Sequence, residues 1–416
     1  MSTPTSPSQS SSSAWLNCVL DRRFGKQIGF AFCLVYGAEA CCFMLSLNTK
    51  RYRGDVVYAF KIEPILELGM NISHTRMTQV PIPDITQPDD VIVKVTGTTI
   101  CGSDLHLYHG EIVALQKGDI LGHELMGVVD RVGENVKNLK PGQQVVASFQ
   151  IACGQCSYCK QKLSSMCDKT NNSSLQNAMY GTRDAGFFGC SHSTGGFPGG
   201  QAEYVKASRC CSTVFHLVCK LNAVQVPYGN VNLLPIPDNV TDEQAIYLSD
   251  PSGYALMFSF LQISLTLVDL GSWSDWPVCC RWAQIKGAKR VIGIDSHPQR
   301  LAFASEKLGI ETLNFKEHSD VLRRLRELVP GGVDVALDCG TFHEPKTLLH
   351  KVQKTLMLET DVSETANEMI ESVRKMGRCG VIAAYSGYTN QFNIGALMEK
   401  GVRFIGNGQG GSFYSR

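Results

Sequence analysis

The sequence predicts an α/β chain in two main parts: an irregular, strand-rich domain over residues 51–235 and a parallel sheet covered by helices over 236–416. Three observations carry that reading. Short alternating apolar segments broken by glycine run from about Asp90 to Gly200, as half-buried strands joined by tight turns do. From Asp238 onward the text changes to apolar strand, amphipathic helix, apolar strand. The chain has 416 residues, enough for two or three domains and a large core.

In chain order, residues 1–50 are atypical, and residues 1–13 are so rich in Ser, Thr, Pro and Gln that they read as disordered. Ile28–Leu47 is almost entirely apolar between basic flanks (Arg22, Arg23 and Lys26; Lys50, Arg51 and Arg53). It is barely long enough to span a bilayer, and Glu39 near its centre opposes insertion, so no membrane partner is expected. No clean first strand follows. Val91-Ile-Val-Lys-Val-Thr and Gly127-Val-Val-Asp-Arg-Val read as strands. The apolar run Tyr254–Val268 is too short to span and reads as a buried helix or strand. Arg290–Asp295, Val333–Cys339 and Cys379–Tyr385 are buried strands, and Gln299–Leu308 is an amphipathic helix.

Composition narrows the function. With 39 basic and 38 acidic side chains the net charge is +1, which argues against nucleic acid as a partner. Charged residues at 19% and apolar residues at 44% exclude a mostly disordered chain. The 17 cysteines are the odd feature, and only their positions separate disulfides from metal thiolates. Cys153, Cys156, Cys159 and Cys167 form C-x2-C-x2-C-x7-C, four sulfurs able to wrap one structural zinc with no open position. Upstream, Cys101-Gly-Ser103-Asp104-Leu-His106 and Gly122-His123-Glu124 bring a second thiol and imidazole from separate loops, leaving room for a third ligand and a substrate oxygen.

In this order, and with Gly122-His-Glu-Leu-Met-Gly127 followed by Gly133 and Val136, these motifs resemble the zinc-dependent alcohol dehydrogenases of the medium-chain dehydrogenase/reductase family. Gly200-Gln-Ala-Glu-Tyr-Val205 and Asn232-Leu-Leu-Pro-Ile-Pro-Asp238 resemble its formaldehyde dehydrogenase-like branch. The resemblance implies a GroES-like catalytic domain followed by a Rossmann doubly wound parallel sheet, the latter expected to stop short at the C-terminus. It implies Cys101 and His123 as the first two catalytic zinc ligands and Asp250 as the third, although Asp250 before Pro251 also suits a turn. Glu124 would tune the metal, Asp104 would orient His123, and Ser103 with His106 would carry the proton to solvent. His106 and the nearby His109 suit solvated loop positions equally well.

The family's redox partner is NAD(P), and the expected Gly-x-Gly-x-x-Gly fingerprint falls, counting back without gaps, on Gly271-Ser-Trp273-Ser-Asp-Trp276. Only Gly271 fits; indoles replace the glycines that let backbone meet pyrophosphate and helix pack on strand. Asp295 stands at the offset of the acid that takes the adenosine ribose hydroxyls and favours NAD, though a strand-end turn explains it too. Residues 207–225 interrupt the family pattern, and 251–280 depart from it. Nine surplus cysteines, among them Cys210, Cys211, Cys279 and Cys280, fall in departing passages. The expectation is therefore a cytoplasmic zinc- and NAD-dependent oxidoreductase with two zinc ions per chain, acting on a small alcohol or aldehyde. The resemblance also implies homo-oligomers. The alternative is a zinc-binding homologue whose altered fingerprint impairs dinucleotide docking.

Overall fold

The computed structural model describes residues 45–46, 56–67, 70–108, 112, 114–202, 204–205, 225–249, 266–270, 276–318, 320–340, 343, 345–383, 385 and 387–406. Its first elements are β1 (Leu45–Ser46) and a pair of twelve-residue strands, β2 (Val56–Glu67) and β3 (Met70–Pro81), antiparallel from Val56↔Pro81 to Glu67↔Met70. No strand was expected there. The scattered polar residues of this pair hide its period, while its Val, Ile, Thr, Tyr and Phe content suits a pleated ribbon.

The strand-rich part then follows β4 (Val91–Thr98), helix α1 (Gly102–Tyr108), β5 (Leu125–Val132), β6 (Gln144–Ala147) and β7 (Gln150–Ile151). Helices α2 (Ser157–Lys160) and α3 (Ser174–Tyr180) lead to β8 (Gly186–Phe187), β9 (Tyr204–Val205), β10 (Gln225–Val226) and β11 (Leu233–Pro235). One antiparallel sheet runs β1-β4-β5-β6-β11, with β9 and β10 also paired to β4. Val91, Val93 and Val95 alternate into a core shared with Leu125, Val129, Val145 and Phe188.

Helix α4 (Asp242–Ala245) opens on a capping box in which Thr241 and Gln244 satisfy each other's backbone N–H. It still belongs to this part. Ile236, Ala245 and Ile246 pack on Met126 and Val146, and Ser249 Oγ donates to Ala147 O at 2.7 Å. The change of architecture thus falls after Ser249, later than the expected 236, because residues 236–249 bury their apolar side on the antiparallel sheet.

The second sheet is parallel throughout. It runs β12 (Thr266–Leu270), α5 (Trp276–Ile285), β13 (Arg290–Asp295), α6 (Pro298–Leu308) and β14 (Glu311–Asn314). After α7 (Val321–Leu328) come β15 (Val333–Asp338), α8 (Leu348–Thr355), α9 (Glu364–Ser372), β16 (Val373–Val381), α10 (Ile394–Glu399) and β17 (Arg403–Gly406). The strand order β14-β13-β12-β15-β16-β17 is the doubly wound 3-2-1-4-5-6 pattern, reversing between β12 and β15. The sheet expected to stop short reaches its sixth strand within the described residues.

Both faces are covered, which is why these strands read as unbroken apolar runs. Val291, Val335 and Leu337 face Cys279, Cys280, Ala283 and Ala304. Ile292, Ile294 and Ala336 face Leu325, Met369 and Ile370. β16 begins at Val373 and ends at Val381, earlier than the expected Cys379–Tyr385: Val373 pairs with Val333 of β15, and Arg374 Nε donates to Asp334 Oδ1 at 2.7 Å beside it. Of the apolar run 254–268, only 266–268 are described, and they form the start of β12. Among the described residues no helix is long and apolar enough to cross a membrane; residues 28–44 lie outside them.

Cys279 and Cys280 are fully buried, acting as small hydrophobes rather than as surface thiols. Cys279→Ser and Cys280→Ser should each lower the unfolding free energy by about 1–3 kcal/mol, the cost of a buried hydroxyl. Zinc content should stay unchanged; urea denaturation with metal analysis checks both.

Candidate active site

Cys101 precedes α1 as its capping residue, and the spacing to Asp104 lets the carboxylate reach back to it: Cys101 N donates to Asp104 Oδ2 at 2.9 Å. Gln201 Nε2 donates to the same oxygen at 3.1 Å. The other oxygen, Oδ1, has no hydrogen-bond partner and faces His123 Nδ1 at 4.0 Å. Burial pushes the Asp104 carboxyl up, opposed by the charge of His123 and these donors.

His123 and Glu124 arrive from the stretch just before β5. Gly122 turns the chain there with φ +96°, and a Cβ on it would lie 2.7 Å from Gln201 Cγ, so glycine is required. Thr98 Oγ1 donates to Glu124 O at 2.8 Å, and Thr99 Oγ1 donates to Glu124 Oε2. His123 Nε2 lies 4.0 Å from Glu124 Oε1. One ligand atom each of Cys101, His123 and Glu124 lies within 4.8 Å of the others, and all three residues are buried. Against them Phe149 turns its ring edge to His123 at 6.4 Å between centroids and leans on Phe187 at 5.4 Å. Such a thiol, imidazole and carboxylate set suits zinc. Ser103 and His106, one turn apart on α1, are half-buried, and Ser103 Oγ lies 3.8 Å from Cys101 Sγ. His109 and Asp250 lie outside the described residues.

The four-cysteine loop is the second constellation. The sulfur pairs Cys153–Cys159 and Cys156–Cys167 are 3.9 Å apart, too far for disulfides. The edge of a tetrahedron with bonds of about 2.3 Å is about 3.8 Å, so the sulfurs fit one zinc ion. Backbone N–H groups of Gln155 and Cys156 point at Cys153 Sγ at 3.4 and 3.3 Å, that of Cys159 at Cys156 Sγ at 3.5 Å, and that of Cys153 at Cys167 Sγ at 3.4 Å. Hydrogen bonds from Cys159 and Cys167, then those backbone donors, pull the Cys153 thiol down to about 3, while Cys159 is pushed up as the proton donor. Gly154 bends the loop at φ +71°.

On the second sheet, β12 ends at Leu270 and α5 begins at Trp276. The six fingerprint positions therefore run from the residue after the strand to the first of the helix; residues 271–275, Gly271 and Trp273 among them, lie outside the described residues. Asp295 ends β13 fully buried. Its Oδ1 accepts from His297 N and Arg300 Nη2, both at 2.9 Å, and Oδ2 pairs with Arg300 Nε at 2.7 Å. A ribose hydroxyl would have to share or displace that charge-assisted contact.

With this geometry in view, comparison with known proteins is decisive. Residues 87–215 match the alcohol dehydrogenase GroES-like domain and residues 278–355 the zinc-binding dehydrogenase domain. A zinc-type alcohol dehydrogenase-like protein of Schizosaccharomyces pombe is 38% identical over 335 residues, 79% of this chain and 74% of that one. The chain belongs to the zinc-dependent alcohol dehydrogenases of the medium-chain family. A glutathione-independent formaldehyde dehydrogenase of Bacillus subtilis is 33% identical over 263 residues, 61% of this chain and 56% of that one. The alcohol dehydrogenase TADH from Thermus sp. ATN1 superposes with a TM-score of 0.63 at 27% identity, covering 84% of each chain.

Four residues of this alcohol dehydrogenase chain support the site without having stood out as site residues in the sequence. Thr99, Gln201 and Phe149 touch Glu124, Asp104 and His123 through folding alone, and no spacing signal marks them. Asn232, fully buried, clamps the base of the cysteine loop: it exchanges hydrogen bonds with Ala152 N and O, both 2.9 Å, and donates to Pro227 O at 2.7 Å. Asn232→Ala should cost about 2–4 kcal/mol, since three backbone groups lose their partner in a buried place. Thermal denaturation checks it, with faster zinc release to a chelator as the second readout.

Proposed function

We propose that this chain transfers hydride between a small alcohol or aldehyde and NAD, with formaldehyde or its adduct as the substrate favoured by the resemblance. The observation that carries the reading is the buried meeting of Cys101, His123 and Glu124 within 4.8 Å, beside a separate four-sulfur loop. In this reading the chain holds two zinc ions. Cys101, His123 and Asp250 hold the catalytic one, and Cys153, Cys156, Cys159 and Cys167 the structural one. When bound, zinc supplies a Lewis acid for the substrate oxygen and nicotinamide supplies the two-electron acceptor.

The chain's own groups do the rest. Asp104 Oδ1, buried and 4.0 Å from His123 Nδ1, sets the ring's orientation and leaves Nε2 for the ion. Glu124, tied to Thr99, sits on the other side of the ring, close enough to tune the ion or replace a ligand in turn. Phe149 and Phe187 exclude water and offer an apolar wall to a small substrate. Ser103 and His106 on α1 lead from the buried sulfur towards solvent and pass the substrate's proton outward. Asp295 favours NAD over NADP, since a carboxylate repels a 2′-phosphate. A cytoplasmic location goes with this reading, because a reducing compartment keeps metal-binding thiols reduced.

A second reading, a zinc-binding homologue with weakened dinucleotide binding, is favoured by Trp273 and Trp276 in the fingerprint and by the Arg300 contact on Asp295. NADH fluorescence titration decides between them: saturable binding supports the first, and its absence with two zinc ions retained supports the second. Cys101→Ser or His123→Ala should cut kcat/KM for the oxidised alcohol by about a thousandfold, the loss of several kcal/mol of Lewis-acid stabilisation, and remove one zinc ion. Cys156→Ser should instead lower the melting temperature while removing the other. Full turnover after loss of Cys101 would rule out the proposed centre.

A further inference from the structure

At the carboxyl end of the parallel sheet lies a second buried polar cluster that the reading above does not use. Asp338 ends β15 opposite Leu270 of β12. Its Oδ1 accepts from Gly340 N at 3.0 Å, and its Oδ2 accepts from Tyr385 Oη at 2.6 Å and lies 3.0 Å from His343 Nε2. His343 Nδ1 lies 3.5 Å from Asp361 Oδ1. The imidazole stacks on Tyr385, ring centroids 4.4 Å apart and planes 21° apart. Asp338, His343 and Asp361 are all buried. From α8, Lys354 Nζ donates to the His343 carbonyl at 3.1 Å.

These groups come from four segments: the end of β15, the loop beyond it, the stretch before α9 and the loop after β16. A neutral imidazole has one N–H and leaves a lone pair facing one of the two carboxylates; the imidazolium donates to Asp338 and pairs by charge with Asp361 across 3.5 Å. Burial works against the charged ring, yet the hydrogen bonds and charges of Asp338 and Asp361 raise its pKa to about 9. Burial and Asp338 push the Tyr385 hydroxyl up, so it stays a donor.

Position gives the cluster a task. The strand order reverses between β12 and β15, and ligands of doubly wound sheets sit outside the carboxyl ends of the strands at that point. Asp295, on the β13 side, marks the adenosine half, so the β15–β16 side faces the other half. The loop after β16 is tied back by Tyr388 N to Thr360 Oγ1 at 2.8 Å. It also touches the strand-rich part, where Gly387 N donates to Tyr180 Oη on α3 at 2.9 Å.

We propose that His343, as an imidazolium bridging Asp338 and Asp361, is a positioning residue that fixes the loops after β15 and β16 in the form that takes the nicotinamide half of the dinucleotide. The inference rests on the dinucleotide reading of the previous subsection. The sign follows from the raised pKa: the bridge contributes fully below its ordinary value of 6.5 and is lost as pH rises through about 9.

The test combines NADH fluorescence titration of the full chain between pH 6.5 and 10 with hydrogen exchange of peptides covering 339–345 and 382–391, corrected for intrinsic rate. The unaltered chain should bind NADH about tenfold more weakly above the transition than below it, with both peptides losing protection in step. His343→Gln should bind about tenfold more weakly already at pH 7, with no transition near 9. Asp361→Asn keeps the ring and one carboxylate and should move the transition to lower pH; it serves as the readout if His343→Gln does not fold. His343→Gln with the affinity and pH profile of the unaltered chain overturns the proposal, as does an unmoved transition in Asp361→Asn. An unaltered chain that never binds NADH, while its loops still respond to His343, overturns the dinucleotide reading and this positioning role together.

Discussion

Cys101 and His123 leave the antiparallel sheet at the same end because β4 and β5 pair with Thr98 opposite Leu125 and Gly97 opposite Met126. Cys101 follows the end of one strand and His123 precedes the start of the other, so the register sets the distance between them. A slip by one residue would turn every side chain of the strand to the opposite face and carry Glu124 away from Thr99. The chain defends that register. Gly127 sits where a Cβ would lie 2.1 Å from Lys94 O, and irregularities at Ile92/Val93 and Val95/Gly97 absorb the mismatch locally. Thr98 and Thr99 then fasten Glu124 by side chain and backbone, so the same strand end that delivers Cys101 also holds the carboxylate.

The two sulfur-bearing sites divide the labour along lines set by chain connectivity. Four ligands from one short loop can close around an ion without help from the rest of the fold, and Asn232 needs only to hold the base of that loop. In the proposed reading, ligands from two loops would not close so completely, which would leave a direction open to a substrate. The buried Asp104 is what makes the open site ordered: it ties the cap of α1 to Gln201 and presents an unused oxygen to the His123 ring. A closed site thus stiffens the domain, and an open one is kept in shape by neighbours that do not themselves need to touch a metal.

Much of this was legible in the sequence because it depends on local spacing. The C-x2-C-x2-C-x7-C run gathers its four sulfurs, Arg290–Asp295 forms a strand over the expected residues, and the strand expected over Val333–Cys339 forms over Val333–Asp338, each determined within a few residues. What could not be read depends on long-range packing. Gln201 meets Asp104 from far along the chain, and Phe149 meets His123 only because β6 and β7 run past it. The β2–β3 pair has no clear period, and residues 236–249 look like the start of the second part until Ile236 and Ile246 are seen against Met126 and Val146. Cys279 and Cys280 looked out of place in sequence because composition cannot distinguish a stray thiol from a small core residue; packing against Val335 and Leu337 does.

The second sheet separates topology from chemistry. The strand order alone creates a crevice between β12 and β15, whatever side chains line it. On its β13 side the Asp295 carboxylate already satisfies its own turn and Arg300. The opposite side is built from a buried network in which Asp338 serves Gly340, Tyr385 and His343 at once. A buried network of that kind is costly to leave half satisfied, so it specifies one arrangement of the loops that carry it. The order seen among the described residues of this crevice therefore resides in the β15 and β16 ends.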